Sequence, residues 1–403
     1  MKPTLGWTLL SLKALERAST YLNPYEQGVR DEIGFLSLHQ GYADRFFPGT
    51  TVLQTRLRYV LFVPWLYQNI AKNRGSIPIH QQVERAEIEL AGRLNKSGEE
   101  GVIGGRSYPN PTSQPACMVY WTALQCWDII RPLPDGTYPY RATVHRMIAH
   151  AHAVTELTES NERLEYPIPI FINLPSPPDN WNNSDEPVNF SLRPKEADFL
   201  RRQFISAPRS NTDDKLSFLA QIVISGLSIE SYEYCWHSDL LSIVDNVEDR
   251  QSLINAGHAA SLAAIGRAVY AALVESLRQD DNLPTEDYHR PHCDAVIHAH
   301  QAGALRADLG SIEKDLPNLQ ADFLELLRNT QKWLALPNRH IYDLRDQYSA
   351  IETRRKGLRA RLPRTMAAYT KRAEWQRDDL GKASPLHYRW NIVKRLIRDL
   401  ETS

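Results

Sequence analysis

The chain has 403 residues, 42% hydrophobic and 24% charged, with 47 Lys/Arg against 48 Asp/Glu and a formal net charge of −1. That length and balance suit two or three domains of an ordinary globular protein. A near-neutral chain is not a polycation, so any nucleic-acid surface has to be local.

The first residues, MKPTLGWTLLSLKALERA, carry an apolar patch. Lys13, Glu16 and Arg17 interrupt it and no small-residue cleavage site follows, so a helix over 8–20 is expected rather than a signal peptide. Further helical patterns cover 35–46, 52–70 and 80–95. The third contains the most apolar run of the chain, FFPGTTVLQTRLRYVLFVPWLYQNI at 46–70. A bilayer span needs about 20 apolar residues, and the uncharged part, Tyr59–Tyr67, is too short. Pro48-Gly49 makes a turn, Thr51 and Gln54 have capping-box spacing, and Pro64 kinks the helix. Arg56 and Arg58 fall on different sides of this mostly buried helix and need acceptors. The nearest acids in sequence, Asp31, Glu32 and Asp44, are the expected structural partners.

The glycines at 98, 101, 104 and 105 match no phosphate-binding motif and read as a loop. Residues 112–128 form a helix rich in large apolar groups. IIRPLPDGTYPYRATV follows, with two short extended runs around Asp135-Gly136, a hairpin signal. Another helix begins near 143. Helix, hairpin, helix is the order of a winged-helix element, with Met118, Thr122 and Gln125 on the face that would enter a groove. Arg106, Arg131 and Arg141 flank it as candidate phosphate contacts.

Residues 166–190 hold six prolines and five asparagines, a composition no helix survives. It reads as an exposed linker between an N-terminal domain, 1–165, and a C-terminal helical domain, 191–403. In the latter, 253–278 is a long helix of small residues suited to the centre of a bundle. Amphipathic helices are expected over 317–335 and 338–356, the second ending at Gly357. A last helix should start at Ser384-Pro385. The expected fold is mainly α: an N-terminal helical domain with a winged-helix-like element and short β-hairpin, then a C-terminal helical bundle.

Charge is uneven. From Arg354 onward the chain has fourteen Lys/Arg and five Asp/Glu, a net of +9, so residues 1–353 carry −10. RRKGLRARLPR is the densest part. Arg354, Arg355 and Lys356 suit the end of a helix dipole, but Arg359, Arg361 and Arg364 continue beyond the glycine and suit phosphates. Lys394, Arg395 and Arg398 lie on the polar side of the last helix and join the candidate nucleic-acid set.

The four cysteines, Cys117, Cys126, Cys235 and Cys293, form no C-x-x-C pair, which fits a reducing cytoplasm. Cys235 lies near His237 in sequence alone and reads as a buried structural thiol. His145, His150 and His152 form one histidine cluster. YHRPHCDAVIHAH supplies a second, with His289, His292, Cys293, His298 and His300 as candidate metal ligands. It lacks H-E-x-x-H and a second cysteine pair, so surface histidines are the expectation. No G-x-S-x-G occurs, and no cofactor is expected.

Several stretches together resemble a bacterial family of unknown function: GW at 6–7, DEIG at 31–34, FPGTTVLQTRLRYVLFVPW at 47–65, VYWTALQCWDI at 119–129, GLRARL and LHYRW. The resemblance implies an accessory subunit encoded in anti-phage defence loci beside helicase- or nuclease-like proteins. The expected function is therefore a non-catalytic, cytoplasmic DNA-binding or adaptor subunit of a defence complex, with no membrane association. Two alternatives stand beside it: a metal-dependent hydrolase or nuclease using the 289–300 histidines, and a structural scaffold whose basic end docks on an acidic partner.

Overall fold

The computed structural model describes residues 33–73, 75–157, 169–207, 209, 215–375 and 383–402. The expected helix over 8–20, the Gly-Trp pair, Asp31 and Glu32 lie outside them. In chain order, the helices α1 Phe35–Phe46, α2 Tyr59–Lys72, α3 Ile79–Lys96, α4 Ala116–Cys126, α5 Arg141–Leu157, α6 Pro194–Ser206, α7 Phe218–Ser225 and α8 Ser238–Ser242 precede α9, Val247–Asp280. Then come α10 His289–Leu305, α11 Leu309–Asp315, α12 Ala321–Leu334, α13 Arg345–Lys356, α14 Met366–Ala373 and α15 Trp390–Glu401. The protein is mainly helical, and the described residues contain no β-strand beyond an isolated bridge between Ile130 and Phe171.

Contacts divide the chain into two compact units: one takes the chain through Tyr42 and Glu248–His387, the other Ala43–Val247 and the chain from Tyr388. This grouping differs from the expected split at 166–190. The C-terminal helix α15 belongs with residues far upstream of it, a pairing no local composition could announce.

The second unit is built on α2, whose Tyr59, Phe62, Trp65 and Tyr67 are all buried. The helix begins at Tyr59 rather than near 52. Gln54 does accept the Thr51 N–H (3.1 Å), but its amide then donates to the Gly49 carbonyl (2.9 Å), so the capping-box spacing closes a turn instead of starting a helix. Pro64 sits inside α2. The Pro/Asn-rich segment is the largest departure from expectation. Phe171, Trp181, Val188 and Phe190 are buried. Trp181 stacks on Phe62 with ring centroids 5.4 Å apart. Arg93 of α3 donates to the carbonyls of Asn180, Trp181 and Glu186 at 2.7–2.8 Å. The segment forms no α-helix, but against the expectation that no helix survives there, Asp179–Asn182 make one 3-10 turn; aromatic burial and one arginine tie the segment down as a strap across α2 and α3.

The expected winged element is absent. Leu133 and Thr137 close a turn around Gly136, and the arm before it pairs with the strap: Arg131 N–H reaches the Ile170 carbonyl at 2.8 Å and Ile172 N–H the Ile129 carbonyl at 3.0 Å. The arm's hydrogen-bonding edge is thus taken by the strap, and no hairpin forms.

The first unit is organised on α9, which is long and apolar enough to cross a membrane but is the buried core helix of this unit. Its small residues allow close approach. A β-carbon at Gly266 would meet the Phe35 ring, and Phe35 in turn meets Phe323 edge-on at 5.3 Å. Two buried acids fix the loops. Glu275 accepts the N–H groups of Tyr288, His289 and Arg290 at 2.8–3.0 Å, capping α10. Glu352 accepts those of Arg361 and Leu362 at 3.0 and 2.9 Å and the Tyr270 hydroxyl at 2.5 Å. The last helix starts at Trp390, not Ser384: Tyr388 and Arg389 take positive φ (48° and 64°), which breaks any helix running from Pro385.

Candidate functional site

A cavity of about 340 Å³ lies in the second unit, among α3, the 103–115 loop, α4 and α5. Its chemistry comes from three helices. Helix α4 begins after Pro115, which offers no side-chain cap. Glu87 of α3 supplies one from outside: Oε1 accepts the Cys117 N–H at 2.7 Å and Oε2 the Cys117 thiol at 3.3 Å. Arg141, the first residue of α5, donates to Cys117 Sγ at 3.2 Å. One turn on, His145 Nε2 lies 2.9 Å from the Tyr67 hydroxyl, with the rings stacked.

Burial dominates the electrostatics. It raises the Glu87 carboxyl, against the opposing pull of the Cys117 N–H and thiol and of Arg141. It pushes the Cys117 thiol up to about 12, with Glu87 adding to the rise. His145 is lowered by burial first and by Arg141 second. A thiol held this high is no nucleophile near neutral pH. Glu87 caps a helix and thereby has a structural role as well.

The sequence drew attention to Arg141 as a phosphate contact and to His145 as part of a histidine cluster. It did not single out Glu87, and Cys117 appeared only in the cysteine count. Of the other flanking arginines, Arg131 donates to the Phe171 carbonyl at 3.1 Å, and Arg106 is exposed. Met118 and Thr122 do face water.

The basic run of the first unit sits largely among its own acids. Arg354 pairs with Asp322, Lys356 with Glu352 at 3.8 Å and Arg364 with Asp280 at 3.9 Å. Arg355 donates to Gln320 at 3.2 Å. Arg361 is half-buried beside Glu352 and Tyr270. Arg359 is exposed and makes no hydrogen bond or ion pair among the described residues. Leu362 is buried, whereas Leu358 is 81% exposed because Gly357 turns the chain outward after α13. Met366 is 79% exposed beyond it. Lys394 and Arg398 belong to the other unit and reach Tyr232 and Glu230, and Arg395 is half-buried there.

Arg56 is held by Asp399 and Glu99, and Arg58 by the buried Glu196 at 2.9 Å. Asp44, expected to serve one of these two, pairs with Arg389. No group of three or more His, Cys, Asp or Glu among the described residues has metal-holding geometry. Helix α10 buries His289 and Cys293, while His298 is exposed on it and His292 and His300 are half-buried. Cys293 and His298 line a polar cleft of about 580 Å³ with Arg290, Asp294 and Arg339.

A family model, described as a family of unknown function (DUF6361), matches residues 3–306, and the chain belongs to that family. No curated protein and no solved structure matches it.

Proposed function

We propose that this member of the family is a non-catalytic adaptor subunit that docks through the 354–369 ridge onto an acidic protein surface. The observation that carries the reading is the exposure of Leu358 and Met366, 81% and 79%, on the segment that bears Arg354, Arg359 and Arg364. Large apolar side chains with arginine between them suit a protein interface, which is enriched in Met and Arg. A DNA backbone offers phosphates but nothing for Leu358 or Met366, and three of the ridge cations already face carboxylates. The setting we propose, the cytoplasm and a defence assembly with helicase- or nuclease-like subunits, rests on the sequence resemblance and on four free cysteines.

A photo-crosslinking amino acid at position 358, in cells co-expressing the neighbouring genes, tests this. One acidic protein should be captured, and Met366→Asp should abolish its capture. If instead the purified chain binds duplex DNA, and Arg359→Ala weakens that binding while no protein is captured, the surface reads nucleic acid and the adaptor reading is lost.

A further inference from the structure

We infer that the cavity at Arg141 binds a small molecule with an apolar body and one anionic group, a carboxylate or a phosphate. Three buried arginines of this chain are each held by two or more acceptors. Arg58 has Glu196 and both oxygens of Asn189, at 2.9–3.1 Å. Arg93 has three carbonyls. Arg372 has Asp281 and the Pro363 carbonyl, at 2.6 and 2.9 Å. Arg141, half-buried in the cavity wall, departs from this pattern. Its guanidinium makes one hydrogen bond among the described residues, to Cys117 Sγ at 3.2 Å, and no ion pair. Sulfur is a weak acceptor, and most of the guanidinium's five donors are left for whatever fills the space it lines.

The surrounding groups decide the sign of charge. Glu87, the nearest acid, already accepts the Cys117 N–H and thiol, and burial favours its protonated form. Cys117 and His145 are likewise held toward their neutral forms. Glu84 also lines the cavity but is exposed to water, which screens it. Arg141 is the arginine that lines the cavity, and an anion complements its open donors. The planar fork matches a carboxylate or phosphate in a bidentate manner. Val83, Ile88, Leu90, Ala91 and Ile103 form apolar walls for the rest of the molecule. A volume of about 340 Å³ is of ligand size, at the small end.

The test uses the full-length chain and three probes by calorimetry: indole-3-acetate, its neutral isostere indole-3-acetamide, and phenyl phosphate. One of the two anions should saturate with a Kd at or below about 1 mM, at least ten-fold tighter than the amide. The tighter anion identifies the headgroup as carboxylate or phosphate. Arg141→Met should bring the anion down to the level of the amide, and Arg141→Lys should retain part of the preference. The inference is overturned if the amide binds as well as both anions, if no probe saturates, or if folded Arg141→Met binds the anion as the wild type does. Should Arg141→Met fail to fold, the anion-to-amide ratio on the wild type decides alone. None of these readouts involves the 354–369 ridge.

Discussion

Asp399, in the last helix, accepts Arg56 Nε at 3.0 Å and the Leu57 N–H at 2.8 Å, so one carboxylate near the chain's end closes the turn from which α2 starts. Leu57 is fully buried, and its N–H has no water to turn to. Asp399→Ala should therefore cost about 2–3 kcal/mol, the range for losing a charged acceptor and stranding a buried donor. Arg398→Ala, one residue away in a half-exposed pair with Glu230, should stay within about 0.5 kcal/mol. Urea denaturation midpoints of the two variants make the comparison, with m unchanged in both.

Glu87 gives a pH signature. Burial raises its carboxyl, so the folded chain keeps that proton to higher pH than the unfolded chain does. The folded state binds more protons between the two values, and stability falls as pH rises from about 4.3 through the folded-state value. Glu87→Gln keeps an acceptor for the Cys117 N–H and removes the titration. Its stability should exceed the wild type's at alkaline pH and lose that advantage in acid. An advantage that is flat across pH would mean that burial does not raise this carboxyl.

The strap rests on Arg93. Arg93→Met removes three hydrogen bonds to the 180–186 backbone while keeping the side chain's bulk. Limited proteolysis should then cut within 179–190 at least ten-fold faster than in the wild type. Trp181→Ala should do the same and cost about 3–5 kcal/mol through the lost aromatic volume.

What the sequence disclosed and what it hid follow from range. Helices with their own apolar stripe were legible, and 35–46 appears as expected. The central helix of small residues was legible too, since Gly and Ala at close spacing suit close packing. Partnerships were not. Arg56 finds Asp399, 343 positions away, where proximity in sequence pointed to Asp31, Glu32 and Asp44. The strap shows composition deciding conformation but not burial: prolines bar the helix, and Trp181 and Phe190 decide where the segment lies. The cavity was least visible of all. Glu87, Cys117 and Arg141 come from three helices, and no spacing along the chain relates them. The one local signal is Pro115 at a helix start without a capping side chain, which implies an acceptor from elsewhere.

Arg359 and Arg361 look equivalent in RRKGLRARLPR, and the structure separates them. Arg359 is exposed, whereas Arg361 lies beside the fully buried Glu352, which also accepts the Arg361 and Leu362 N–H groups. Glu352 is raised by burial, and Arg361 is among the groups that oppose the rise. Arg361→Ala should therefore destabilise the first unit by about 1–3 kcal/mol, the cost of removing a partner from a buried charged network. Arg359→Ala should leave stability within about 0.5 kcal/mol. A double alanine variant would confound fold with binding, so Arg359→Ala is the variant for the surface. If the ridge contacts phosphates, this change lowers the slope of log K against log salt by about 0.9 on duplex DNA. If it docks on a protein, there is no such slope to lower, and the loss appears in the crosslinking yield at position 358 instead. Equal stability of Arg361→Ala and Arg359→Ala in chemical denaturation would remove Arg361 from the Glu352 network and return both arginines to the surface.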